Sequence, residues 1–215
     1  MPLAVLPALV LSSVLASKLP GMKVFRTIYF VPSVAGVIGV SIVWGQMFDA
    51  TIGWINYLLD LIGVSEAGQG QGWLTQPNTA LLSMVIVFAW MSFGFNTVLY
   101  LAGHQAIPKE LYEAAEIDGA NTWQVFRRIT VPQLRNTTFY VVITTSILAL
   151  QLFDIVWILA RPIAGGPNFA TQTPVLTLYQ EAFTNNRQGY ASALAWVLFI
   201  IIFSFTSFQF RRQRS

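Results

Sequence analysis

Of the 215 residues, 55% are hydrophobic, 14% are aromatic and only 10% are charged, with a net charge of +3. That balance excludes an ordinary soluble domain and describes a chain whose solvent is largely lipid. The absence of cysteine excludes disulfide frameworks and thiolate metal sites.

In chain order, the first apolar run, Pro2 to Ser17, is short for a bilayer core, which takes about 20 mostly apolar residues. Four later runs are long enough: Thr27 to Phe48, Thr79 to Gly103, Thr137 to Ala160 and Tyr190 to Phe210. Each is continuously apolar rather than alternating, which favours helices over a barrel. Pro32 is expected to bend the first of these four. Between them, Asp49 to Asn78 holds an amphipathic patch (Trp54, Ile55, Leu58, Leu59, Ile62) suited to the membrane interface. A flexible stretch from Gly68 to Gly72 follows it. Arg161 to Gly189 carries a Gly165-Gly166-Pro167 turn and then a short helix from Pro174 to Phe183.

Charge placement predicts orientation. Lys18, Lys23 and Arg26 lie between the first two runs, and Lys109, Arg127, Arg128 and Arg135 lie between the third and fourth. Arg211, Arg212 and Arg214 form the tail, leaving only Arg161 and Arg187 elsewhere among the 12 cations. Alternating spans put these three basic segments on one side, which the positive-inside rule makes cytoplasmic. Five spans then leave the N-terminus facing outward.

The polar island Leu111 to Ala120 has the chemistry of a compact helix–turn–helix. Pro108 suits a first helical turn, and Glu110 and Glu113 favour the positive end of the helix dipole. Leu111, Ala114 and Ala115 fall at i, i+3 and i+4, giving one apolar face with two very small side chains. Gly119 is a natural left-handed stop. Asn121 with Gln124 reads as an N-cap opening a second helix through Trp123, Phe126 and Ile129.

The set Glu113-Ala114-Ala115, Gly119 four residues on, Ile129 ten beyond that, then Val131-Pro132 resembles the EAA loop of ABC-importer permeases. Val131 departs from the Leu usual there. The wider wording from Ala106 to Ala120 is most similar to the maltose-type carbohydrate permeases, and the resemblance covers essentially the whole chain. It implies an all-α membrane protein, a polytopic helical bundle with about five spans of a six-span core. It also implies one permease domain over residues 1–215, with its coupling loop at 103–136, in a bacterial inner membrane. In such permeases a further span precedes this point, so the resemblance implies an N-terminus lacking one span and the beginning of another.

The activity so implied is transport of a sugar or polyol, driven by a separate ABC ATPase dimer. A second permease subunit and a substrate-binding protein would complete the importer, with no cofactor and no bond chemistry in this chain. By resemblance Glu113, Ala114, Ala115, Asp118, Gly119, Ile129 and Pro132 form the ATPase-coupling contact. The two outer segments face where the binding protein would dock, although their residues read equally well as connectors along the interface.

Polar residues within the apolar runs are the direct trace of a path. Thr144, Gln151 and Asp154 recur at helical spacing on what is expected to be one span. Asp154 either lines the path or pairs with Arg161 two turns on. Gln151 either lines the path or ties helices together. By resemblance Phe95, Asn96 and Gln151 fall in regions that contact sugar. No Lys or Arg lies deep in a run, which favours a neutral polyol over a phosphate ester such as glycerol phosphate.

Other classes find little support. No G-x-x-x-x-G-K-[ST] occurs, so there is no P-loop. His104 is the only histidine, expected at a solvated helix end, and no zinc site or Ser-His-Asp set assembles around it. The basic residues follow membrane topology rather than a nucleic-acid footprint. An ion-driven secondary transporter would need discontinuous spans in an inverted repeat, and neither is evident.

Overall fold

The computed structural model describes residues 1–16, 22–63, 72–160 and 165–214. Lys18, most of the glycine-rich stretch from Gly68, and Arg161 lie outside the described residues. Among those described the regular structure is entirely helical. Two helices are individually long and apolar enough to cross a membrane: α5 (Pro77–Gln105) and the final helix, α12 (Gln188–Arg214).

The chain divides into two compact units, the first being Met1–Val34 with Ala89–Ser146. It holds α1 (Pro2–Ala16), α2 (Met22–Val34), the later part of α5, and the polar island. The inward stripe of α1, Ala4, Val5, Ala8, Leu9, Ser12 and Leu15, is buried at helical spacing. Its Val5, Ala8 and Leu9 join Tyr100, Ile107, Leu134 and Val141 in the unit's apolar core. Two glycines permit close helix approach. A Cβ on Gly103 would lie 2.5 Å from Thr137 Oγ1, and one on Gly94 would collide with the Tyr29 carbonyl oxygen and lie 2.5 Å from Ser33 Oγ. Ser33 completes that contact by donating to the Met91 carbonyl (3.0 Å) and accepting from the Phe95 N–H (2.9 Å).

The second unit is Ala35–Phe88 with Ile147–Ser215. It holds α3 (Val37–Met47), α4 (Trp54–Leu61), the start of α5, α10 (Asp154–Leu159), α11 (Pro174–Tyr179) and α12. Gly45 of α3 lets Leu159 of α10 approach to 3.4 Å of an added Cβ. Phe48 is buried between Trp44 and Trp73, with ring centroids 5.4 and 5.9 Å away. Asn56 pins α4 by donating to the Asp49 and Ala50 carbonyls while accepting 2.6 Å from Trp73 Nε1. That anchor decides which side of α4 faces out. Trp54, Tyr57, Leu58, Leu61 and Ile62 are exposed, whereas Ile55 and Leu59 are half-buried. The interface-facing stripe therefore differs from the expected one by those residues.

Two expected spans are broken. The run from Thr27 stops at Val34 and resumes at Val37, so the interruption falls at Ala35–Gly36, just beyond Pro32, which itself stays helical. The run from Thr137 is two helices, α9 (Arg135–Leu150) and α10, separated by Gln151 to Phe153. Broken backbone inside an apolar run survives where its carbonyls find other donors. Here the Thr173 hydroxyl donates to the Leu152 carbonyl at 2.8 Å. The expected stripe of Thr144, Gln151 and Asp154 along one helix is thereby corrected, because only Thr144 belongs to α9.

Candidate coupling surface and path residues

The polar island folds as a compact, hydrogen-bonded knuckle. Pro108, with ψ near 133°, stands just outside α6 (Lys109–Ile117) as its N-cap rather than in its first turn. Glu110 is in the first turn, where a carboxylate complements the dipole. At the far end the N–H of Asp118 bonds the Ala114 carbonyl, that of Gly119 the Glu116 carbonyl and that of Ala120 the Ala115 carbonyl. This closure needs Gly119 in the left-handed region, where its φ is 70°. Asn121 then opens α7 (Thr122–Val125) with a complete capping box. Its Oδ1 accepts from the Gln124 N–H and Gln124 Oε1 accepts from the Asn121 N–H, both at 2.9 Å.

Beyond α7 the helix widens into a π-turn, Phe126–Thr130, before the short α8 (Val131–Gln133). The Val131 N–H reaches back to the Phe126 carbonyl. Pro132 has no N–H for the α-helical ladder, so a local change of winding is expected beside it. Tyr112 OH of α6 lies 3.3 Å from Thr130 Oγ1, tying the knuckle's two halves together.

Exposure sorts the predicted coupling residues. Glu113, Ala114, Asp118, Gly119 and Pro132 are exposed and Ile129 is half-buried, but Ala115 is buried inside the unit. Leu111, Ala114 and Ala115 thus do not form one outward face. Ala115 packs inward and lets α6 lie close to its support. Sequence reasoning missed Ile117 (87% exposed) and Trp123 (65%), the most prominent apolar side chains of the knuckle. Their signal was present, since large apolar residues in a polar island have little reason to be there unless something covers them. Trp123 stacks on Phe126 with centroids 5.6 Å apart, which stiffens its presentation.

The predicted path residues separate in the same way. Phe95 is 46% exposed, and Gln151 and Asp154 are exposed at the α9–α10 break. Asn96, by contrast, is enclosed. Its Nδ2 donates to the Ala4 carbonyl (3.1 Å) and Thr145 Oγ1 (3.3 Å), and its Oδ1 accepts from the Thr145 hydroxyl. It acts as a polar tie between α1, α5 and α9. Thr144 bonds back to the Tyr140 carbonyl of its own helix. Beside Asp154 lies a half-exposed aromatic group unforeseen from sequence, in which Tyr179 meets Phe153 at 5.0 Å and Trp157 at 4.9 Å. His104 is only half-exposed, with Nε2 3.2 Å from Ser13 Oγ, and is not the solvated residue expected.

Comparison with known proteins places these features in context. Residues 1–214 match the family described as binding-protein-dependent transport system inner membrane component. The chain is 35% identical over 177 residues to a probable ABC transporter permease protein of Pyrococcus horikoshii, covering 82% of this chain and 59% of that one. It is 36% identical over 193 residues to the trehalose/maltose transport system permease protein MalF of Thermococcus litoralis, covering 90% and 63%. A crystal structure of a bacterial ABC transporter involved in import of the acidic polysaccharide alginate contains a chain of similar fold. Its TM-score is 0.83 at 22% identity, with 99% of this chain and 72% of that chain covered. The chain thus spans 59% and 63% of the length of those two relatives.

Proposed function

Since the chain belongs to the family of binding-protein-dependent transport system inner membrane components, we propose that it is a permease subunit of an ATP-driven importer. Its cargo is a sugar or related polyol, and its setting is a bacterial inner membrane with the knuckle and the C-terminus in the cytoplasm. A separate ABC ATPase dimer hydrolyses ATP, a second permease subunit completes the path, and a substrate-binding protein delivers cargo from outside. The name of the maltose relative supports the cargo class, as does the scarcity of cations within the spans.

The observation that carries this reading is the knuckle's outward face. Glu113, Ala114 and Ile117 of α6 and the adjoining Asp118 are exposed, and backbone hydrogen bonds close the far end of that helix directly into the capping box that opens α7. Such a pair of short helices moves as a body, so displacement of a docked ATPase passes to α5 and α9. Glu113 supplies charge, Ala114 close approach, and Ile117 an apolar anchor of the kind that dominates docking energetics.

The test is photo-crosslinking from Ala114 and Ile117 in membranes that contain the complete importer. Capture of a nucleotide-hydrolysing partner that changes with ATP is the expected result. Failure of both positions to capture such a partner, with a third probe at Trp123 equally silent, refutes the reading.

A further inference from the structure

Beneath the knuckle, within the first unit, is a cavity of about 530 Å³ that the coupling role leaves unused. The last turns of α1 and α5 form its floor, and α6, α7 and the π-turn form its roof. Its polar rim includes Ser13, His104, Lys109, Tyr112 and Thr130, and no carboxylate is among its described lining residues. Leu101, Ile107 and Phe126 supply apolar wall. The volume falls in the range of ordinary small-molecule sites, roughly 300–1,000 Å³.

The charge balance identifies the occupant's chemistry. Among the described residues Arg187 pairs with Glu181, whereas the Lys109 ammonium has no ion-pair partner. Ser13 donates to the Leu9 carbonyl and meets His104, and Tyr112 meets Thr130, so the Lys109 ammonium is the group of this lining left to meet an oxyanion, with no carboxylate among the described lining residues to compete. The apolar wall suits a ring or chain attached to that anion. We infer that this cavity is a binding site for a phosphate ester bearing an apolar portion. Its phosphate meets Lys109, and its occupancy braces the knuckle against α1 and α5. Because the site lies at the end of a span, the ester comes either from an anionic phospholipid headgroup or from a free phosphorylated metabolite.

The site does not depend on the transport reading, and binding is its direct readout. The complete complex in phosphatidylcholine nanodiscs is titrated with phenyl phosphate and, separately, rebuilt with phosphatidylglycerol, while the thermal unfolding midpoint is followed. Phenyl phosphate raising the midpoint indicates a free ester, and a rise with phosphatidylglycerol alone indicates a lipid. In either case Lys109→Gln weakens the response at least about tenfold, as expected for loss of a charge-assisted contact, and Lys109→Arg largely restores it. Ala16→Phe, which fills the cavity from the α1 side, abolishes the response while Lys109 remains. A midpoint insensitive to both ligands, or responses identical in wild type, Lys109→Gln and Ala16→Phe, overturns the inference. Loss of ATPase crosslinking with these responses intact would refute the coupling role alone.

Discussion

Replacing Gly119 tests whether the knuckle's shape, rather than any contact of the glycine itself, carries the coupling. Its φ is 70°, and an added Cβ would meet nothing within 4 Å. A substitution therefore costs backbone conformation and not steric room. For a residue with a Cβ the left-handed region costs roughly 1–2 kcal/mol, at the upper end when the side chain is β-branched. The features holding the turn are of similar size, since the Asn121–Gln124 capping box contributes about 1 kcal/mol. A strain of 1.4 kcal/mol shifts a two-state equilibrium about tenfold, enough to populate a rearranged knuckle. Gly119→Val should therefore lower substrate transported per ATP hydrolysed in proteoliposomes several-fold, with the protein still inserted and assembled. Gly119→Asn should be close to wild type, because asparagine tolerates the left-handed region. If valine and asparagine act alike, the backbone argument is wrong. If both leave the ratio unchanged, the knuckle is not the coupling element.

Other expectations follow from the packing. Gly94→Ala drives a Cβ into the Tyr29 carbonyl oxygen and against the Ser33 hydroxyl, so it should destabilise by roughly 1–3 kcal/mol for overpacking and by more where the Ser33 bonds are lost. Gly39→Ala in α3, with nothing within 4 Å, should instead be neutral or stabilising by up to about 1 kcal/mol, and thermal unfolding in detergent compares the two. Asn96→Leu strands the Thr145 hydroxyl and the Ala4 carbonyl and should cost about 1–3 kcal/mol. Transport assays with several sugars should show unchanged selectivity, because Asn96 is enclosed. Asp49 accepts from the Thr51 N–H, the Thr51 hydroxyl and the Ile52 N–H, which hold its carboxyl below the usual carboxylate range. A depressed folded value means that its contribution to this turn is complete at neutral pH and is lost as pH falls through that lowered value. Fluorescence of a single-Trp73 variant should therefore change in acid below about pH 4, and Asp49→Asn should remove that transition.

What the amino-acid order determined alone was whatever rests on near neighbours. The knuckle's stop at Gly119 and restart at Asn121 needs only residues a few positions apart, so its geometry was readable before any fold was known. Long apolar runs likewise announced helices, because a backbone in lipid must satisfy its own hydrogen bonds. The three-dimensional packing decided what depends on distant partners. The α9–α10 break is tolerated because Thr173, about twenty positions on, supplies a donor to Leu152. Asn96, named from sequence among the path candidates, is enclosed because α1 and α9 close around it. Ala115 and Ala114 are adjacent and chemically identical, yet one is buried and the other exposed. That difference comes from how α6 is seated on its support, and no local pattern encodes it.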